Sequence, residues 1–315
     1  MGQIAKINEI EIWWEDYGDK SNPSVLLIMG ANANCMQWPQ ALIDKLVESN
    51  FHVIRFDNRD VGKSTKFGKE PFIFKILKFL PSFILKPFLN AIFGLATDEN
   101  GKFKFNDVKV PYNLLDMAKD AVSLLDYLKI DKAHIVGASM GGMITQIIGL
   151  DYPEKALSLT PIMTSPGIQN QSLSGPTESL IEAMKKSFLS NLKGNIEDGV
   201  VHIYRELTGS KFPFNEEEFR ERLKPIIAHG NNPYSQHGAA VGASPDRFDR
   251  LKEINIPSFI IHGTEDAILP LDHGMALADN IKNSKRFIME GVGHEIPEGL
   301  LDEISEKMIM HFNGA

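Results

Sequence analysis

The sequence predicts an α/β fold with a mostly parallel central sheet, flanking helices and an inserted helical cap. Three observations predict it. Short apolar runs alternate with helical periods along most of the chain, which is the rhythm of parallel strands joined by helical crossovers. One run, Ala133-His134-Ile135-Val136, leads straight into Gly137-Ala138-Ser139-Met140-Gly141-Gly142, a tight turn around a serine at the start of a helix. The alternation stops between about 165 and 235, where the chain is polar and helical and carries no strand-like run.

Residues 1–17 alternate like an antiparallel hairpin, with Ile10, Ile12 and Trp14 on one face. Residues 24–29 and 51–57 suit central parallel strands, with a helical stretch from about 38 to 49 between them. The first strand ends in Met29-Gly30-Ala31-Asn32, where Gly30 lets the backbone turn close to a substrate. Asn32 and Asn34 read as turn residues before they read as amide donors. From 113 to 129 a helical face gathers Leu114, Ala118, Ala121, Val122, Leu125 and Leu128. Residues 256–262 form a buried strand that turns out through Gly263-Thr264-Glu265-Asp266. Residues 284–289 form the last strand, followed by Gly291-Val292-Gly293-His294 in a loop.

Residues 71–95 break the alternation a second time. They are very apolar, with lysines at 75, 78 and 86. Drawn as one helix, they place Lys75, Lys78, Ser82, Lys86 and Asn90 in a single polar stripe. The lysines, Pro81 and Pro87 interrupt the stretch too often for a bilayer span. Packing on the cap, a homodimer contact and peripheral contact with a membrane all remain open for it. The stripe predicts a helix–turn–helix flap at a pocket mouth, polar side outward. The expected organisation is a core at 1–164 and 236–315, this insert at about 70–107, and a cap at 165–235. Inserted between strands of an open sheet, the cap should lie over their C-terminal ends and cover Ser139.

The turn at 137–142 is G-x-S-x-G between a strand and a helix, a nucleophile elbow. A serine hydroxyl is a weak nucleophile and must stand where a base can take its proton. Gly137 and Gly141 remove side chains that would collide across so sharp a turn, and the helix aims its free N–H groups at the reacting centre. The elbow calls for an acid and then a histidine, each just after a later strand. Asp266 and His294 meet that order, with Glu265 the neighbouring rival acid. Among nine histidines, His294 combines last place with a glycine-flanked loop after a strand. His52, His134 and His262 end strands, His273 and His311 fall in helical patterns, and His202, His229 and His237 show no metal-site spacing. The backbone N–H groups of Met140 and Ala31 are the candidate oxyanion donors.

A net charge of -8 without a basic run excludes nucleic acid as an expected partner. The single cysteine, Cys35, precludes an internal disulfide and fits a reducing compartment. The first residues lack a charged-then-apolar signal region, and Lys6 breaks the myristoylation pattern, so the expected location is cytoplasmic. No cofactor and no metal is expected.

From about residue 10 to the C-terminus, with the insert left out, these motifs resemble the α/β-hydrolase superfamily. Met29-Gly30-Ala31-Asn32 with Gln37-Trp38-Pro39, and Arg55-Phe56-Asp57-Asn58-Arg59-Asp60-Val61-Gly62-Lys63-Ser64-Thr65, narrow the likeness to the aclacinomycin methylesterase group. Asp272-His273-Gly274 and Gly291-Val292-Gly293-His294 continue it. The resemblance implies cofactor-free hydrolysis of a carboxylic ester, with Ser139, Asp266, His294 and the Ala31 and Met140 amides in the family's roles. It does not bring the polyketide methyl ester with it, because the cap and the 71–95 insert are where this chain departs most. A hydrophobic ester of small to medium size is the expected substrate. Carbon–carbon bond hydrolases, whose elbows often read Ser-Met-Gly-Gly, and cofactor-free haloperoxidases use the same triad. Epoxide hydrolases and haloalkane dehalogenases require an aspartate at 139. A non-catalytic binder on this fold should lack a triad residue, and none is missing.

Overall fold

The hairpin at the N-terminus forms the edge of the sheet: β1 (Gln3–Ile7) and β2 (Ile10–Tyr17) pair antiparallel with Ile7 opposite Ile10. Asn8 and Glu9 both take positive φ, 47° and 63°, which is the two-residue turn whose twist matches paired strands. The computed structural model describes residues 2–98, 102–104, 109–230 and 232–315. The chain continues through β3 (Ser24–Ile28), α1 (Gln40–Glu48), β4 (His52–Phe56), α2 (Phe72–Leu77), α3 (Ser82–Ala96) and α4 (Leu114–Tyr127). Next come β5 (Ala133–Ala138), α5 (Met140–Asp151), β6 (Ala156–Ile162), α6 (Glu178–Leu192), α7 (Ile196–Leu207), α8 (Glu216–His229) and α9 (His237–Gly242). It closes with β7 (Phe259–Gly263), α10 (Leu271–Asn280), β8 (Lys285–Met289) and α11 (Leu301–Asn313).

Among the described residues the sheet has eight strands in the order β1-β2-β4-β3-β5-β6-β7-β8. The pairs β1–β2 and β2–β4 are antiparallel, and every later pair is parallel. β3, β4, β5 and β7 are buried along their whole length, because helices cover both faces of a parallel sheet. One apolar layer includes Leu26, Ile54 and Ile135 with Leu114, Ala121 and Ile144; the other includes Val25, Val53 and Val136 with Leu42, Ile304 and Met308. α4 begins at a capping box, with Asn113 accepting from the Leu115 and Asp116 N–H groups and Asp116 accepting from the Asn113 N–H. The order reverses between β3 and β5, since β4 lies on one side of β3 and β5 on the other. A crevice for ligands is expected at such a switch point, outside the C-terminal ends of the strands.

α7, α8 and the turns beside them attach to the loops at those ends. Asn34 Nδ2 donates to the Ile226 and Gly230 carbonyls at 2.8 and 2.9 Å. The His294 N–H donates to Leu207 O at 2.7 Å, and the Lys211 N–H donates to Gly291 O at 2.8 Å. Leu180 and Leu207 pack against Ala267, so the cap and the acid turn share a small apolar core.

The insert differs from its expected geometry in two respects. The first helix closes at Leu77 with Lys78 as its C-cap and Pro81 caps the start of the second, so 71–95 forms two helices and not the one helix on which Lys75, Lys78, Ser82, Lys86 and Asn90 make a single stripe. Lys75, Lys78, Ser82, Lys86 and Asn90 are exposed as expected, but large apolar side chains stand exposed beside them: Phe72, Phe79, Phe83 and Leu95 are 76%, 79%, 74% and 80% exposed. The inward side meets the cap through Leu85, Leu89 and Phe74, the last edge-on to Phe188 at 5.4 Å. Between the hairpin and α6 an apolar cavity of about 160 Å³ remains, lined by Leu77, Leu89, Phe93 and Leu192 among others. The expected end of the insert, near residue 107, lies outside the described residues.

Candidate active site

The serine turn is shaped by close backbone packing. Ser139 sits at the start of α5 with φ 55° and ψ -117°, a strained conformation for a residue with a side chain. Its N–H donates to Ile162 O at 2.9 Å, and Thr164 Oγ1 donates to its carbonyl at 2.6 Å, so β6 holds the turn in place. A Cβ at Gly137 would lie 2.1 Å from Gly141 O, and one at Gly141 would lie 2.0 Å from Ile28 O. Both positions must be glycine for β3, β5 and α5 to meet this closely. Gly30 brings the loop after β3 alongside: a Cβ there would lie 3.1 Å from Ser139 Cβ. Ala31 follows Gly30 in this loop and Met140 follows Ser139 at the head of α5, and among the described residues neither N–H has a hydrogen-bond acceptor. An unpaired N–H at a helix start, as at Met140, suits developing negative charge.

Asp266 and His294 are brought together. His294 Nδ1 lies 2.6 Å from Asp266 Oδ2, while Asp266 Oδ1 accepts from the Ile268 and Leu269 N–H groups at 3.0 and 2.8 Å. Burial works to raise the Asp266 pKa, but the charge and hydrogen bond of His294 outweigh it and hold the carboxyl below its ordinary value. With Nδ1 donating to this carboxylate, Nε2 is left as the accepting nitrogen. Glu265 takes no part in this pair. It is exposed, and its carboxylate accepts from the Ser210 N–H and Oγ at 2.7 Å each. Among the described residues Ser139 Oγ makes no hydrogen bond to His294; in unliganded sites this contact often closes only with substrate.

The segment 55–65 does more than the sequence reading asked of it. Asn58 Nδ2 donates to Met29 O at 3.0 Å, and Asp57 Oδ1 accepts from the Cys35 N–H at 2.9 Å, which pins both ends of the Gly30 loop. Asp57 Oδ2 also accepts from the Lys63 N–H at 2.8 Å and pairs with His229 Nε2 at 2.7 Å. Burial, reinforced by Asp57, pushes the Cys35 thiol well up, so it stays protonated. Cys35, Asp57 and His229 lie together as three buried potential ligands, but their contacts are those of a hydrogen-bond staple between loop and cap. Arg59 makes a buried two-point pair with Asp120, at 2.7 and 2.8 Å.

His237 is the residue that sequence reasoning missed. It is fully buried; Nε2 lies 2.7 Å from Arg59 O, and Nδ1 lies 2.9 Å from the Asn32 N–H. One tautomer satisfies both contacts: Nε2–H donates and Nδ1 accepts. Burial lowers its pKa to about 4, which keeps the ring neutral. Asn32 itself takes φ 59° and Asn34 caps a short turn, both in loop roles.

With this geometry in place, the comparisons define the class. The family described as alpha/beta hydrolase fold matches residues 23–298, and the chain belongs to it. It is 26% identical over 98% of its length to the rhodomycin D methylesterase of Streptomyces sp. strain C5, covering 97% of that protein. It is 31% identical over 56% of its length to a 2-hydroxy-6-oxononadienedioate/2-hydroxy-6-oxononatrienedioate hydrolase of Burkholderia vietnamiensis, covering 61% of that protein. Its fold matches the bromoperoxidase from Bacillus anthracis with a TM-score of 0.73 at 21% identity, covering 99% of this chain and 100% of that one.

Proposed function

We propose that the protein is a carboxylic-ester hydrolase that works through Ser139, His294 and Asp266 and an acyl-enzyme intermediate. The observation that carries this reading is the strained Ser139 at the head of α5, with Gly30 against it and unpaired amides at Ala31 and Met140. The full-length likeness to a methylesterase supports an ester as the bond cleaved.

Ser139 Oγ attacks the ester carbonyl as His294 Nε2 takes its proton. The oxyanion rests on the Ala31 and Met140 amides, and Asp266 steadies the imidazolium. His294 then protonates the departing alcohol. Water, deprotonated by the same ring, attacks the acyl group and releases the acid and free Ser139. No cofactor or metal takes part in this scheme. The substrate is a hydrophobic ester of small to medium size, held beneath a cap at 165–235. Carbon–carbon bond hydrolysis on the same triad is the second reading, favoured by the 31% identical relative.

A serine-directed phosphonate should label Ser139 alone, and Ser139→Ala should lose labelling together with hydrolysis of short p-nitrophenyl esters. His294→Ala should lower kcat by roughly 10⁴–10⁶. Labelling elsewhere, or an undiminished rate in Ser139→Ala, defeats the assignment. Turnover of β-diketones without ester hydrolysis establishes the second reading instead.

A further inference from the structure

We propose that the α2–α3 hairpin is a docking surface for an anionic lipid bilayer, lying along the interface without crossing it. The hairpin has used its inward side against the cap, through Phe74, Leu85 and Leu89, and still shows water Phe72, Phe79, Phe83 and Leu95 at 74–80% exposure. Ile73, Ile76 and Ile84 are also about half exposed on the hairpin. Large apolar side chains exposed this densely along one short hairpin mark an interaction site, whereas singly scattered ones do not.

Charge selects the occupant. From 71 to 97 the chain carries Lys75, Lys78 and Lys86 and no acidic residue, in a protein whose net charge is -8. All three lysines are exposed around the apolar face. A second copy docked on this face would bring lysines against lysines. An anionic headgroup layer meets them with the opposite sign, and the acyl region takes the rings. Geometry agrees with a surface position: α3 has 15 residues, and no described helix is long and apolar enough to cross a membrane. The hairpin is also held as part of the cap. Lys193 Nζ, at the end of α6, donates to the Lys78 carbonyl at 2.8 Å and also to the Leu80 carbonyl, which fastens the turn between the helices.

The test uses the full chain with two sets of vesicles, phosphatidylcholine alone and phosphatidylcholine mixed with phosphatidylglycerol. Co-flotation should be at least about tenfold stronger on the mixed vesicles and should weaken as salt is raised. A Phe79→Asp, Leu95→Asp variant should lose at least about tenfold of that partitioning, with its circular dichroism and thermal midpoint unchanged. Lys75→Gln, Lys78→Gln and Lys86→Gln together should abolish the difference between the vesicles. Absence of binding to either set overturns the proposal, and a dimer in solution that Phe79→Asp disperses would give the surface to a second copy. Equal binding to both sets, untouched by the lysine changes, overturns the anionic assignment. None of these outcomes depends on ester hydrolysis.

Discussion

His237 is a neutral strut between the Asn32 amide, one residue beyond Ala31, and the Arg59 carbonyl. It touches no reacting atom in the proposed mechanism and acts by positioning. His237→Ala removes an acceptor and a donor at once and leaves the Asn32 N–H and the Arg59 carbonyl without this partner. On a soluble ester we expect kcat to fall by about ten- to a hundredfold, less than the roughly 10²–10³ cost of deleting an oxyanion donor itself, with KM changed little. His237→Gln, which keeps an acceptor and a donor on one side chain, should recover part of the loss. Equal losses in both variants, or a change confined to KM, would contradict the positioning role.

The elbow tolerates little change because two strands and a helix converge on it. A methyl group at Gly141 would sit 2.0 Å from the Ile28 carbonyl oxygen, which is backbone of a fully buried strand and has no rotamer through which to yield. Gly141→Ala must therefore push α5 away from β3, at a cost at or above the roughly 1–3 kcal/mol typical of overpacking. A thermal midpoint several degrees lower, read by calorimetry, is the expected result; an unchanged midpoint would contradict this packing. The insert teaches a different lesson. A helical wheel drawn through Pro81 joins residues of two separate helices, so the lysine stripe is divided between them and large apolar side chains stand exposed beside it.

Across the whole molecule, buried histidines tie folding to pH. Burial lowers His134, His237 and His311 from 6.5 to about 4 each. Between those values the unfolded chain binds protons that the folded chain refuses, so stability rises with pH across the window. The contribution is complete above about 6.5 and is lost as pH falls through about 4. Asp266, held below its ordinary 3.8, adds a further loss below that range, as pH falls from 3.8 through its lowered value. The thermal midpoint should therefore fall steadily as pH is lowered from 6.5 to 4. A flat midpoint across that window would show that these rings are protonated in the folded chain.

The sequence by itself determined most of the order of strands and helices, passing over β6 (Ala156–Ile162), and placed Ser139 on a turn between a strand and a helix. Those features follow from constraints that act within a few residues: apolar period, glycine where a Cβ collides, and a helix start. It also put Asp266 and His294 after late strands, but the choice between two adjacent carboxylates needed the tertiary structure. Glu265 is exposed and bound to Ser210, and Asp266 is buried against His294, because α7 and the loop after it bring Ser210 to one side of the turn and β8 brings His294 to the other. The same holds for the fastening of the Gly30 loop. Asp57 meets His229 across 172 positions, and the Asn32 amide meets His237 across 205. No periodicity or local motif encodes such pairs. They exist only once the sheet has reversed its order at β3 and β5 and the cap has docked over the strand ends, so the partner of a buried polar group is decided by tertiary packing.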